Sequence, residues 1–168
     1  MTADEDHYAR TEYRRLIGWK SRLERERPFL EGLLAGAPER SVIDLGCGTG
    51  EHVAFFAGLG CRAVGLDSSP SMLEQAAEHE RAGRGRFVLG DMVRAPEALA
   101  AEPPFGLCLC LGNVLPHLRA EADLDALFRG LGRLLLPGGL CLLQILNYGP
   151  LLSRSVRHLA LNFQPDGE

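Results

Sequence analysis

Hydrophobic and polar positions alternate along this chain with two different periods. From Asp6 to about Arg27 the spacing is helical: Tyr13, Leu16, Ile17, Trp19 and Leu23 recur three and four residues apart, with charges between them. Pro28 suits the first turn of a second, shorter helix carrying Phe29, Leu30, Leu33 and Leu34, which Gly36 and Pro38 end. Beyond that point short apolar runs alternate with amphipathic ones. Strands are predicted over 41–45, 61–66, 86–89, 106–111 and 139–146. Helices are predicted over 51–59, from Pro70 to about Ala82 with a serine capping it, near 95–100, and over 122–135. The run from Gly106 to Leu111 is apolar throughout, as expected of a strand buried on both faces. Strand–helix alternation of this kind builds a parallel sheet with helices on both sides. Ligands of such sheets bind at the carboxyl ends of the strands, near the topological switch point.

Composition narrows the classes. With 168 residues, 46% hydrophobic and 24% charged, the chain suits one soluble domain. A net charge of −4 supplies no general basic field, so a nucleic-acid partner is not expected; Arg81, Arg84 and Arg86 read as solvated loop charges. The start, MTADEDHYARTEY, is polar and acidic, unlike a signal or transit peptide, and no apolar run approaches the roughly 18 residues of a membrane span. Cytoplasmic localisation without a membrane partner is the expectation. Five cysteines stand at 47, 61, 108, 110 and 141, with no paired CxxC and no metal spacing, and read as buried reduced thiols. Cys108 and Cys110 would share one face of a strand.

The loops after the strands carry the chemistry. The first strand runs into VIDLGCGTGEH, with Gly46, Gly48 and Gly50 letting backbone approach a ligand closely. A dinucleotide fingerprint needs Gly or Ala at the next position, where this chain has Glu51, and no lysine follows as a phosphate loop requires. A carboxylate there repels phosphate, so the motif favours a nucleotide ligand without phosphates. After the second strand Asp67 is placed to accept hydrogen bonds from ribose hydroxyls, followed by Ser68. After the third come Gly90, Asp91 and Met92: a carboxylate for an adenine amino group and a thioether for the ring face. After the fourth come Leu111, Gly112 and Asn113, the last offering donor and acceptor groups to the pocket. His117 is a base only for an acceptor with a proton to lose.

Together these residues resemble the class I S-adenosylmethionine-dependent methyltransferases. The carrying motifs are VIDLGCGTG, AVGLDSSPSML, FVLGDM, LCLGNVLPHL and LLPGGLCLLQILNY, in family order from Ser41 to Tyr148. LGNVLPHL and LNYGPLL resemble the glycine and sarcosine N-methyltransferases and their small-molecule relatives. The N-terminal helices with Tyr8, Tyr13 and Trp19 resemble that branch's lid over the cofactor. The resemblance implies S-adenosyl-L-methionine as cofactor. It also implies that Gly46, Cys47 and Gly48 line the methionine part, with Asp44 supporting the loop. Asp67 and Ser68 would serve the ribose, Asp91 and Met92 the adenine, and Leu111, Gly112 and Asn113 the floor beneath the sulfonium. The fold class implied is α/β, a Rossmann-like doubly wound, mostly parallel sheet lacking the last strands of the seven-stranded methyltransferase fold. The domain expectation is a helical lid over 1–38, a cofactor-binding core over 39–150, and a tail over 151–168 leading toward absent strands.

Three departures qualify the resemblance. Gly106 follows Phe105 where the fourth strand usually opens with aspartate. Leu146 replaces the arginine that holds a substrate carboxylate, and Gly149 replaces the aspartate after Asn-Tyr, which speaks against a glycine-like substrate. The chain ends just past Leu159–Phe163, with no room for both last strands, as in a truncated chain or a minimal variant. The expected activity is in-line methyl transfer to a small-molecule acceptor, with His117 and Tyr148 as catalytic candidates by position and a homodimer left open. The alternatives are a non-catalytic cofactor-binding module completed elsewhere and, less favoured because of Glu51, a dinucleotide oxidoreductase.

Overall fold

The computed structural model describes residues 17–153. The sequence readings at Tyr8, Tyr13 and Leu159–Phe163 lie outside them. Five strands form one parallel sheet: β1 (Ser41–Leu45), β2 (Arg62–Asp67), β3 (Arg86–Leu89), β4 (Phe105–Cys110) and β5 (Leu135–Leu143). Their order across the sheet is β3-β2-β1-β4-β5. The order reverses between β1 and β4, so the switch point falls at the glycine-rich turn. The helices are α1 (Trp19–Gly36), α2 (Glu51–Gly58), α3 (Pro70–Arg81), α4 (Ala95–Ala98), α5 (Glu121–Leu134) and α6 (Tyr148–Ser153). The architecture is the expected Rossmann-like one.

The two faces of the sheet follow from the strands' two-residue period. Val42, Leu107 and Leu109 pack with Leu30 and Leu34 of α1 and with Val53 and Phe56 of α2. Ile43, Leu45, Leu66 and Cys108 pack on the other side with Leu127, Leu131 and Leu134 of α5. Every residue of β4 is buried, as its unbroken apolar run requires.

The N-terminal reading needs correction. Pro28 does not start a second helix; α1 runs through it without a break. A proline inside a helix forfeits one backbone bond and costs about 3 kcal/mol. Here the anchoring of Leu30 and Leu34 in the core, with Arg22–Glu26 and Arg27–Glu31 pairs four residues apart, outweighs that loss. At the other end β5 begins at Leu135 rather than 139, directly from α5, and an irregularity between Phe105 and Leu107 in the β4–β5 register absorbs Pro137 and its glycines. A proline is tolerated there because, among the described residues, β5 lies at the sheet edge. The same edge position leaves Cys141 exposed, whereas the other four cysteines are buried as expected.

Gly106 has a physical reason. Its N–H donates to Ser41 Oγ (2.9 Å), and a Cβ there would collide with the backbone of Glu39. The usual aspartate has no room at this position. Gly106→Ala is expected to lower stability by about 2 kcal/mol, within the range for overpacked cores. A lower thermal midpoint would show it, and an unchanged midpoint would mean that the Glu39 turn gives way freely.

Candidate functional site

The carboxyl ends of β1, β2, β3 and β4 open on one cavity, bounded on one side by the first turn of α1. Its shape begins with the backbone. Gly46 (φ 74°) lies against Val114, whose side chain would meet a Cβ at 2.5 Å. Gly46 and Cys47 both donate their N–H to Leu66 O, at 2.7 and 3.1 Å, tying the glycine turn to the end of β2. Asp67 completes the tie: one oxygen accepts from Gly48 N–H (2.7 Å), the other from Ser69 N–H (2.9 Å). Ser69 Oγ in turn accepts from Met72 N–H and caps α3, so the serine cap expected from the sequence is Ser69. On the next loop Asp91 caps a short 3-10 turn through Val93 N–H (2.9 Å), with Met92 beside it.

Of the residues singled out in the sequence, Gly46, Cys47, Gly48, Asp67, Ser68, Asp91, Met92, Leu111 and Gly112 line this one cavity. Asp44 and His117 line it too. Asn113 and Tyr148 do not. Asn113 adopts a left-handed conformation (φ 66°) that turns its side chain toward the segment after β5. There its Nδ2 donates to Tyr148 Oη (2.8 Å) and its Oδ1 accepts from Leu146 N–H (3.1 Å). The two polar residues expected at the pocket therefore satisfy each other outside it.

Glu51 also needs correction. Gly50, left-handed at φ 86°, leads into α2 with the Glu51 carboxylate buried away from the cavity. It accepts from Thr49 Oγ1 and lies 3.8 Å from His79 Nε2 of α3. It cannot repel a phosphate directly.

Among the described residues, three carboxylates do line the cavity: Asp44, Asp67 and Asp91. Asp44 is 2% exposed, and its Oδ1 has no hydrogen-bond partner. Burial pushes its pKa up to about 6, despite the opposing charges of His52 and Arg22. Cys47 is buried and its thiol is pushed up, so it adds no charge at neutral pH.

Sequence reasoning missed Arg22 and His52, which also line the cavity beside Trp19. Arg22 stacks over the Trp19 ring, 4.9 Å from its centroid, and donates to Glu26 (2.9 Å). His52 meets the same ring edge-on and bonds Glu26 through Nε2 (2.9 Å). Burial works to raise the Glu26 pKa, but hydrogen bonds from His52 and Arg22 hold it below its usual range. The spacing Trp19, Arg22, Glu26 puts all three on one helical face, a signal readable from the sequence.

Comparisons with known proteins identify the family. Residues 42–139 match the family model described as a methyltransferase domain. A glycine/sarcosine N-methyltransferase from Parasynechococcus marenigrum is 31% identical over 82% of this chain and 49% of its own length. An 18S rRNA (guanine-N(7))-methyltransferase from Bos taurus is 32% identical over 62% of this chain and 38% of its own. Among solved structures, the S-adenosylmethionine-bound amino pentose methyltransferase CalS10 from Micromonospora echinaspora superposes with a TM-score of 0.66. It is 26% identical, over 82% of this chain and 56% of its own. The chain belongs to the class I S-adenosylmethionine-dependent methyltransferase family. It spans no more than about half the length of the first curated relatives that it matches. Their acceptors are not of one kind, so membership alone does not exclude nucleic acid. Among the described residues no helix is long and apolar enough to cross a membrane.

Proposed function

We propose that this chain is an S-adenosylmethionine-dependent methyltransferase acting on a small-molecule acceptor. The observation that carries the reading is the charge of the cavity: among the described residues, three carboxylates, one deeply buried, line it against the guanidinium of Arg22. Such a lining opposes a pyrophosphate or triphosphate and suits a nucleoside that carries positive charge. Asp44, Asp67 and Asp91, rather than Glu51, thus favour a ligand without phosphates.

The residues present fit that cofactor. Asp67 lines the cavity at the end of β2, and its carboxylate serves the ribose hydroxyls beside Ser68. Asp91 and Met92 serve the adenine. The unpartnered Oδ1 of Asp44 suits the cationic amino group of the methionine part, and Arg22 its carboxylate. When bound, the cofactor supplies a methyl group on positively charged sulfur, open to in-line attack.

The chain's own contribution is positioning and exclusion of water. Leu111 and Val114 give the floor an apolar surface, and α1 acts as the lid through Trp19 and Arg22. His117 is the remaining base candidate: it lines the cavity and would take a proton on a ring nitrogen from a hydroxyl or protonated amine. Tyr148 is set aside from that role by its bond to Asn113. The N-methyltransferase relative supports a small acceptor, while Leu146 and Gly149 speak against an amino acid held by its carboxylate.

Titration calorimetry tests the reading. S-adenosylmethionine and its demethylated product are expected to bind and NAD not to. Equal or tighter binding of NAD would end it.

A further inference from the structure

Away from the cavity, two cysteines face each other across the sheet. Cys108 of β4 and Cys141 of β5 are Cα partners in the parallel ladder, so their side chains leave the sheet on the same face. Neighbouring strands lie about 4.8 Å apart, inside the 4.4–6.8 Å that a disulfide spans between Cα atoms. The Cys108 thiol donates to Leu109 O (3.6 Å). Cys108 is fully buried against the α5 side of the core, whereas Cys141 is exposed, and both are free thiols. Cys110, two residues further along β4, has Leu143 opposite it and therefore no thiol partner in the ladder.

We propose that Cys108 and Cys141 form a peroxide-oxidisable thiol pair that closes to a disulfide between β4 and β5. Accessibility and ionisation set the order of events. The neighbouring Cys108 thiol holds the Cys141 pKa below the usual thiol range, while Cys141 and burial push Cys108 well above it. Cys141 is thus the attacking thiolate. Its sulfur displaces hydroxide from hydrogen peroxide, breaking the O–O bond and giving a sulfenic acid. The Cys108 sulfur then attacks the Cys141 sulfur; the S–S bond forms, the S–OH bond breaks, and the Cys108 proton leaves with that hydroxyl as water. Two electrons pass from the thiol pair to one peroxide. The bond would lie three residues before Leu111 in the cavity wall.

The test is peptide mapping of the full chain after treatment with hydrogen peroxide and blocking of the remaining thiols by iodoacetamide. Trypsin cuts after Arg119, Arg129 and Arg133, so Cys108 and Cys141 fall on different peptides. A linked pair carrying Cys108 and Cys141 is expected, reversed by dithiothreitol and absent from Cys141→Ser, a surface change that leaves the core intact. In Cys108→Ser, dimedone should instead trap Cys141 as the sulfenic acid. A bridge between two chains or one from Cys110 to Cys141 would overturn the proposal. So would Cys141 advancing to sulfinic acid while Cys108 stays alkylatable.

Discussion

Asp67→Ala is expected to weaken binding of the demethylated cofactor at least tenfold, roughly 1.4 kcal/mol. The size follows from what the carboxylate holds. Its two oxygens accept from Gly48 N–H and Ser69 N–H, so it fixes both the glycine turn and the start of α3. Bonds to a charged acceptor are each worth about 1.5–3 kcal/mol, and the substitution removes both together with the ribose contacts. Stability should fall as well, by about 2 kcal/mol or more on the same scale. Asp67→Asn separates the roles, because its one remaining carbonyl oxygen still accepts while the charge is gone. Calorimetry beside a thermal melt reads both quantities. An Asp67→Ala protein that loses stability but keeps its affinity would leave the residue as a loop tie and end its ribose role.

Asp44→Asn should move stability and binding in opposite directions. The Asp44 pKa is raised from 3.8 to about 6, roughly two units, or about 3 kcal/mol. The folded chain therefore holds the proton more tightly than the unfolded chain. This group's contribution to stability is greatest below pH 4, declines as pH rises toward 6, and stays at its lower value above. Asparagine has no such titration, so the variant without cofactor should lose that decline. At pH 7 it should gain about 1–3 kcal/mol, less whatever its unpaired amide N–H groups cost. Binding should nevertheless weaken, because the buried charge that faces a cationic ligand is gone. In the unsubstituted chain, cofactor binding near pH 6 should release a fraction of a proton, since a cation beside Asp44 favours its charged form. Calorimetry in two buffers of different ionisation enthalpy measures that release. Proton uptake, or an affinity that rises as pH falls from 7 to 5, would contradict the assignment.

The sequence by itself determined the strand–helix alternation, the buried fourth strand and the loops that carry ligand-facing residues. Each is a local property: a two-residue or 3.6-residue apolar period, or a glycine-rich turn. Asp67 and Asp91 were legible because they stand at or just past strand ends, which a parallel sheet brings together whatever the details of packing. What only the tertiary structure decided are the features set by competition between distant groups. Pro28 sits inside a helix because Leu30 and Leu34, just beyond the break that local rules predict, are anchored in the core while Arg22–Glu26 and Arg27–Glu31 pairs hold the turns around it. Glu51 turns away from the ligand because α3 offers it His79, and Asn113 turns away because the segment after β5 offers it Tyr148 and Leu146 N–H. Arg22 and His52 join the site through α1 packing across the glycine turn, a contact between helices that share no sequence pattern. The facing of Cys108 and Cys141 is a matter of strand register, which side-chain burial and turn geometry settle only once the sheet is assembled.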